Sequence, residues 1–272
     1  MSRDSEAGPG YMNSLPVAKP DFHSAFRILR PRGKGRFIVF CDHASNRVPA
    51  ELDNLGLPAS ELDRHIAWDI GAAGVTAELS DIFDAPAILC GTSRLVIDCN
   101  RQLHAYDLIP EVSDGTAVLG NRGLSEAARQ LRIERWFEPY HAAVESVIAD
   151  RESRGLTSIA LSIHSMTACL AGNARPWQIA LSSHNDRSLV EPMLAVLRKS
   201  EYCQTGNVTV GDNQPYDLDP AVDYSVPFHA MRRNMPYLQV EFRQDEVADA
   251  AGQVRWARRF AQALAGLLPL GE

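Results

Sequence analysis

The sequence has few cysteines and no pattern among them. Its 272 residues include five cysteines, an odd number, at scattered positions and without a C-x-x-C pair. Neither a disulfide framework nor a cysteine-based structural zinc site is therefore expected. Unpaired, scattered cysteines are typical of a reducing compartment, and we expect these thiols to be reduced.

Long apolar runs are also missing. No segment approaches the roughly 20 consecutive apolar residues that a membrane-spanning helix needs. The N-terminus carries Arg3, Asp4 and Glu6 where a signal peptide would have its apolar stretch. We therefore expect a cytoplasmic protein without a membrane partner.

The chain has no excess of basic charge. Lys and Arg total 27 against 34 Asp and Glu, which gives a net charge of -7 at pH 7. Proteins that bind the phosphate backbone need a basic surface, so a nucleic-acid partner is not expected. Walker, G-x-G-x-x-G and G-x-S-x-G motifs are absent too. A small molecule is the expected partner.

The composition that remains is that of a globular protein, with 45% hydrophobic and 22% charged residues. Such a chain has ample apolar material for a core. Residues 1–20 are rich in Ser, Gly, Pro and charge without periodicity, which predicts a mobile N-terminal arm. Residues 21–272 show no repeat and no domain boundary, which predicts a single domain.

Short apolar runs alternate with segments of helical periodicity. Strands are predicted at residues 37–41, 86–90, 94–98, 158–163, 178–181, 208–210 and 237–240. Helices are predicted at residues 67–83, 124–151, 187–200 and 246–268, with a kink or break at Pro139 in the second. This alternation favours a three-layer α/β/α fold with a mixed, mainly parallel sheet. The turn-rich residues 102–123 predict a long loop able to cover a site.

Polar side chains stand at the ends of several predicted strands. Asp42, His43 and Asn46 follow residues 37–41, and His164 follows residues 158–163. The other members of this set are Asp98, Asn100, Arg101 and Glu241. Because the carboxyl ends of parallel strands meet at one edge of a sheet, where ligands bind in open α/β folds, these side chains are expected to lie together.

The chemistry of this set suits metal-assisted hydrolysis. Two imidazoles and one oxygen ligand form a donor set for catalytic Zn²⁺, which keeps a position open for water. Glu241 suits the task of moving the water's proton to a leaving nitrogen, and Arg101 that of fixing a substrate carboxylate. Simpler structural interpretations are that Arg94 and Arg101 pair with Asp98, and that Glu241 pairs with Arg243.

Several motifs of the sequence occur together in one enzyme family. They lie at residues 42–49 (DHASNRVP), 68–72 (WDIGA), 93–101 (SRLVIDCNR), 139–141 (PYH), 162–165 (SIHS) and 241–245 (EFRQD). In these motifs residues 37–268 resemble the N-formylglutamate amidohydrolases, which are related in fold to zinc carboxypeptidases and aspartoacylase-type deacylases. The resemblance implies a metal-dependent enzyme that cleaves an N-formyl amino acid, such as N-formyl-L-glutamate, into formate and the free amino acid.

The resemblance also implies roles for individual residues. His43 and His164 match the metal ligands, and Glu241 matches the catalytic glutamate. Asn100 and Arg101 match the pair that binds a substrate carboxylate, with Arg94 expected to help. His141, within a predicted helix, is expected to pack or to support other residues instead of binding the metal.

The third metal ligand is open at this point. The zinc exopeptidases carry H-x-x-E at the first ligand site, whereas this chain has His43-Ala44-Ser45-Asn46. An amide oxygen is a weaker zinc ligand than a carboxylate. Asn46, Asp42 and Asp69 are therefore all candidates, and Asp69 equally suits a helix N-cap. A carboxypeptidase-like hydrolase of short peptides and a non-catalytic binder of an acidic metabolite are the alternative functions.

Overall fold

The structure, a computed structural model, describes residues 24–206 and 208–268, so the predicted arm at residues 1–20 lies outside the described residues. The strands are β1 Phe26–Leu29, β2 Phe37–Cys41, β3 Ala87–Cys90, β4 Val112–Ser113, β5 Thr116–Ala117, β6 Ile159–Met166, β7 Cys169–Leu170, β8 Asn173–Ala174, β9 Ile179–Ser182, β10 Val210–Asp212 and β11 Tyr237–Arg243. The α-helices are α1 Ala59–Leu62, α2 Ala72–Phe83, α3 Glu126–Arg132, α4 Glu138–Ser153, α5 Val190–Lys199, α6 Glu201–Gln204, α7 Ser225–His229, α8 Gln244–Val247 and α9 Ala250–Leu267. None of the helices in this part of the chain is long and apolar enough to cross a membrane.

A 7-stranded sheet in the order β1-β3-β2-β6-β11-β9-β10 forms the centre of the fold. Strands β3, β2, β6 and β11 run parallel to one another. At one side β1 is antiparallel to β3, and at the other β9 is antiparallel to β11 and parallel to β10. The predicted mixed, mainly parallel sheet is confirmed.

Helices cover both faces of this sheet. Val39 of β2 shares one hydrophobic cluster with Leu79 of α2 and Phe260 of α9. Its neighbour Phe40 points the other way and belongs to a second cluster with Val144 of α4. Strand β2 is therefore buried along its whole length, which is why its sequence shows no alternation of apolar and polar residues.

The predicted strand at residues 94–98 is wrong. This apolar segment forms a buried turn whose carbonyl groups are satisfied by side chains. Asn121 donates to the carbonyl oxygen of Leu95 at 2.8 Å, and Arg132 to that of Val96 at 2.9 Å. The segment therefore needs no neighbouring strand to satisfy these backbone groups.

Helix boundaries also differ from the predicted ones. A π-helical turn at Ile133–Phe137 separates α3 from α4 within residues 124–151. Pro139, which has no N–H to donate, lies just after this turn, at the start of α4. The last helix, α9, begins later than predicted because the Asp249 side chain caps it by accepting a 2.7 Å bond from the N–H of Gly252.

Helix α2 is preceded by a turn at Gly71. Gly71 has a φ of +83°, and a Cβ there would lie 2.1 Å from the carbonyl oxygen of Val247. Both observations require glycine at this position. The turn brings the preceding Asp69 back to the end of β2, where its N–H donates to the His43 carbonyl at 2.9 Å.

Candidate active site

The carboxyl ends of β2, β6 and β11 meet at one edge of the sheet, as the sequence predicts. His43 follows β2, while His164 and Glu241 are register partners on β6 and β11. Together with Asp69 they line a cavity of about 280 Å³. Arg94, Asn100 and Arg101 line the same cavity.

Three buried side chains converge in this cavity as a cluster of ligand atoms. His43, Asp69 and His164 each offer one atom within 4.8 Å of the other two. The Oδ2 atom of Asp69 lies 2.9 Å from His164 Nδ1 and 3.4 Å from His43 Nδ1. Two imidazole nitrogens and a carboxylate oxygen form the donor set of catalytic divalent metal sites. The cluster can therefore bind a metal ion.

Each histidine of the cluster has a carboxylate at its other ring nitrogen. His43 Nε2 lies 2.7 Å from Asp98 Oδ1, and His164 Nε2 lies 3.1 Å from Ser162 Oγ and 3.5 Å from Asp42 Oδ2. A carboxylate at Nε2 favours the tautomer that carries its proton there, which leaves Nδ1 free to bind a metal. Metal-binding histidines are commonly oriented in this way.

Arg94 holds Asp98 in place. Its Nη2 and Nε atoms donate to Asp98 Oδ2 at 2.7 and 3.1 Å, and its Nη1 lies 3.5 Å from Asp69 Oδ1. Burial acts to raise the pKa of Asp98, but the charges of Arg94 and then His43 hold it well below its usual value. Arg94 therefore forms the ion pair with Asp98 that the sequence left open, and its guanidinium is occupied by protein carboxylates.

Asp42 supports His164 from behind. Its Oδ1 atom accepts hydrogen bonds from Tyr140 Oη at 2.7 Å and from Ser225 Oγ at 2.6 Å. These bonds come from α4 and α7, and Asp42 itself does not line the cavity. Asp42 thus lies near Nε2 of His164 and does not supply one of the cluster's ligand atoms.

Asn46, a candidate third ligand, faces away from the cluster. Its side-chain amide donates to the carbonyl oxygen of Leu62 at 2.9 Å and to Asp63 Oδ1 at 3.3 Å, and it does not line the cavity. The structure brings Asp69 to the two histidines instead. Asp69 is not the N-cap of α2 either, since Gly71 takes that position without a side-chain bond.

Glu241 is buried in the cavity without a charged partner. Among the described residues its Oε2 atom has no hydrogen-bond partner, and the neighbouring Arg243 pairs with Asp245 at 2.7 Å instead. Burial raises the pKa of Glu241 to about 7. A carboxyl group that can gain or lose a proton near neutral pH suits general acid and base catalysis.

Arg101 and Asn100 form another wall of the cavity. Arg101 donates through Nε to Asp107 at 2.9 Å and through Nη1 to the Asn100 carbonyl at 3.1 Å. The Asn100 side chain accepts from the N–H groups of Tyr224 and Ser225 at 3.1 and 3.0 Å. Asn100 therefore ties the chain before α7 to the cavity wall.

The loop over the cavity is not the predicted one. No residue of 102–123 lines the cavity, whereas Tyr216 and Asp223 do, from the segment between β10 and α7. Asp223 accepts a bond from Asn100 Nδ2 at 3.1 Å, and burial raises its pKa. The sequence carries no local signal for this contact, because the two residues are 123 positions apart.

His141 lies behind the cavity wall, in keeping with the supporting role expected for it. Its Nε2 lies 2.9 Å from the Cys99 carbonyl oxygen and its Nδ1 lies 2.9 Å from His229 Nε2. His229 in turn contacts Glu145 at 2.6 Å. Burial, followed by the charge of His229, lowers the pKa of His141 to about 3.

The mixed sheet with helices on both faces, and the cluster beside an unpaired glutamate, are the features of a hydrolase with an α/β architecture. The model of the family N-formylglutamate amidohydrolase matches residues 35–248. The chain therefore belongs to the N-formylglutamate amidohydrolase family, whose members are hydrolases of amide bonds.

Solved structures show the same fold. The gene product Atu2144 from Agrobacterium tumefaciens is 31% identical, with a TM-score of 0.83, over 90% of this chain and 96% of that one. The N-formylglutamate amidohydrolase from Ralstonia eutropha JMP134 is 18% identical, with a TM-score of 0.62, over 90% of this chain and 97% of that one. Comparison with curated proteins finds no match.

Proposed function

We propose that the chain hydrolyses the N-formyl amide of a small N-formyl amino acid, such as N-formyl-L-glutamate, with a bound zinc ion. The observation that carries this is the cluster of His43, Asp69 and His164 in one cavity with Glu241. Membership of the amidohydrolase family supports the amide bond as the target.

The donor set of the cluster fits a zinc ion. His43 Nδ1, Asp69 Oδ2 and His164 Nδ1 would hold it, because both Nε2 atoms already face the carboxylates Asp98 and Asp42. Zinc bound there supplies a Lewis acid and lowers the pKa of its water to roughly 7.

Glu241 acts first as a base and then as an acid. Its unpaired carboxylate accepts a proton from the attacking water and returns it to the amide nitrogen that leaves with the amino acid. Burial raises the pKa of Glu241 to about 7, so both protonation states are accessible near neutral pH.

Arg101 orients the substrate by its carboxylate. Its Nε and Nη1 atoms are held by Asp107 and by the Asn100 carbonyl, which fixes the plane of the guanidinium. Its Nη2 forms no hydrogen bond with the described residues and lies in a side chain that lines the cavity. A substrate carboxylate there receives a charge-assisted hydrogen bond.

Formate release tests the activity. Zinc-loaded protein should release formate from N-formyl-L-glutamate, and chelation or His164→Ala should abolish the release. Arg187→Gln, which removes a cation paired with Asp212 outside the cavity, is the matched control and should retain it. Cleavage of dipeptides without formate release would instead support a carboxypeptidase-like enzyme. Amino-acid binding without turnover by the zinc-loaded protein would support a non-catalytic binder.

A further inference from the structure

Arg175 is a buried arginine whose guanidinium is largely unpaired. The residue is 8% exposed, and its one side-chain hydrogen bond among the described residues is from Nη2 to Tyr216 Oη at 2.8 Å. Its buried Nη1 has no partner there. Within this part of the chain no carboxylate pairs with it. A buried cation with no carboxylate beside it and with one buried nitrogen unpaired is unfavourable, so its retention requires a reason.

Two other buried arginines of this chain, Arg132 and Arg151, have guanidinium groups that are hydrogen-bonded to acceptors of the protein. Arg132 donates to the carbonyl oxygens of Val96 and Gly120 and to Asn121 Oδ1. Arg151 donates to the carbonyl oxygens of Gly33, Gly35 and Thr157 and to Ser158 Oγ. Each guanidinium is surrounded by acceptors from the protein. Arg175 lacks this environment, which indicates an acceptor from outside the protein.

Arg175 stands at the edge of the sheet that carries the cavity; it does not itself line the cavity, but it donates to Tyr216, which does. Strand β9 is antiparallel to β11, so the segment that enters β9 lies beside the carboxyl end of β11. The ring of Tyr216, which lines the cavity, lies over the guanidinium with 4.8 Å between its centroid and Arg175 Cζ. Burial lowers the pKa of the cavity residue His65, and the charges of Arg64, Arg94 and, least, Arg175 add to this effect.

We propose that Arg175 binds a second carboxylate of the ligand in this cavity and so determines specificity for a dicarboxylic ligand. The assignment rests on the proposed function in one respect, since Arg101 is taken to hold the first carboxylate. Arg175 Nη1 and Nη2 together offer the parallel pair of donors that matches a carboxylate.

Access to Arg175 requires a movement of one side chain. Tyr216 covers the guanidinium and is 42% exposed, so its ring can rotate aside without opening the core. Nη2 then exchanges the phenol oxygen for a carboxylate oxygen, and Nη1 gains its first acceptor. The charge and both donors of Arg175 are satisfied in the liganded state.

Ligand binding tests the assignment without hydrolysis. L-glutamate and L-glutamine have nearly the same size and the same α-carboxylate, and differ in the second carboxylate. Calorimetric titration of the full chain, zinc-loaded and metal-free, should show tighter binding of L-glutamate by about 10- to 100-fold, the effect of a charge-assisted hydrogen bond. Arg175→Gln should abolish this preference while affinity for L-glutamine stays unchanged.

Two further variants separate specificity from structure. Arg175→Lys keeps the charge without the paired donors, and should retain part of the preference. Arg187→Gln should retain all of it. The thermal midpoint of Arg175→Gln should change little, because the substitution removes an unsatisfied buried donor together with the contacts to Tyr216, and the two effects oppose each other.

Three results would overturn the assignment. They are equal binding of the two amino acids by the wild type, a preference that persists in Arg175→Gln, and a large loss of thermal stability in both Arg175 variants. Formate release with an unchanged preference in Arg175→Gln would refute the role of Arg175 and leave the proposed activity standing. Loss of the preference in Arg175→Gln, together with no formate release by the wild type, would support the role of Arg175 and refute the proposed activity.

Discussion

His43 and Asp98 form a short, buried contact, with 2.7 Å between Nε2 and Oδ1. Asp98 is held by two bonds from Arg94 and by the N–H of Asn100. The contact fixes which nitrogen of His43 faces Asp69. A histidine of the cluster is thus oriented before any ligand arrives.

Asp98→Asn should weaken zinc binding. The amide carries no charge to stabilise the Nε2 proton of His43, and loss of such a partner typically lowers metal affinity by about 10- to 100-fold. Competition between the protein and a chromogenic chelator measures the change. Asp107→Asn, which alters a carboxylate that pairs with Arg101, serves as the matched control and should keep wild-type affinity. Equal affinities in both variants would refute the orienting role of Asp98.

Asp69→Ala should lose the metal, whereas Asn46→Ala should keep it. Asp69 supplies a ligand atom of the cluster, while the Asn46 amide donates to the Leu62 carbonyl. Asn46→Ala should lower the free energy of unfolding by about 1 kcal/mol through loss of that bond. Elemental analysis and denaturant unfolding of both variants measure these effects. Metal loss in Asn46→Ala at full stability would show that Asn46 is a ligand after all.

Glu241→Gln should lower kcat by about 10²- to 10⁴-fold, the usual contribution of a general acid or base, with metal content unchanged. Glutamine fills the same space but cannot accept the water's proton. Formate release at saturating N-formyl-L-glutamate gives kcat. Glu191→Gln, at an exposed partner of Arg187, should behave as the wild type. A fall of less than a factor of about 10, the effect of roughly 1.4 kcal/mol, would place the base elsewhere.

His141→Gln should make stability less dependent on pH. Burial lowers the pKa of His141 to about 3 in the folded protein, whereas an unfolded histidine titrates near roughly 6.5. The unfolded state therefore binds a proton that the native state does not, and stability present above about pH 6.5 is lost as pH falls toward 3.

The slope that His141 contributes approaches about 1.4 kcal/mol per pH unit and should vanish in His141→Gln. Denaturant unfolding between pH 7 and 4 measures the difference from the wild type. His184→Gln, at an exposed position, is the control substitution. Parallel curves for the wild type and His141→Gln would contradict the assignment.

Gly71→Ala should destabilise the fold more than Gly155→Ala. Both glycines have positive φ, +83° and +68°, so both substitutions strain the backbone by about 1–2 kcal/mol. At Gly71 the new Cβ would also lie 2.1 Å from the Val247 carbonyl oxygen, whereas at Gly155 nothing lies within 4 Å. Thermal midpoints measure the difference. Equal midpoints would mean that the chain before α2 moves to accept a side chain.

The sequence predicts the sheet because its central strands are buried on both faces. An unbroken apolar run such as residues 37–41 is stable only when both faces of its strand are covered. Polar residues at the carboxyl ends of such parallel strands then lie at the same edge of the sheet. This reasoning places His43, His164 and Glu241 together before any coordinates are known. It also includes Asp69 among the candidate ligands.

Other features depend on contacts that local pattern does not encode. The apolar residues 94–98 resemble a strand, but Asn121 and Arg132 satisfy carbonyls there from distant segments. Asn46 has the spacing of a ligand, yet its amide is bound by the backbone of Leu62. The wall around Asp223 depends on a bond to Asn100 across 123 positions.

The most direct test of the central claim is to locate the metal in a crystal of the zinc-loaded protein by anomalous scattering. The expected result is a zinc ion bound by His43 Nδ1, Asp69 Oδ2 and His164 Nδ1 at about 2.0–2.2 Å. A zinc ion bound elsewhere, or an empty cluster in crystals grown with excess zinc, would contradict the account.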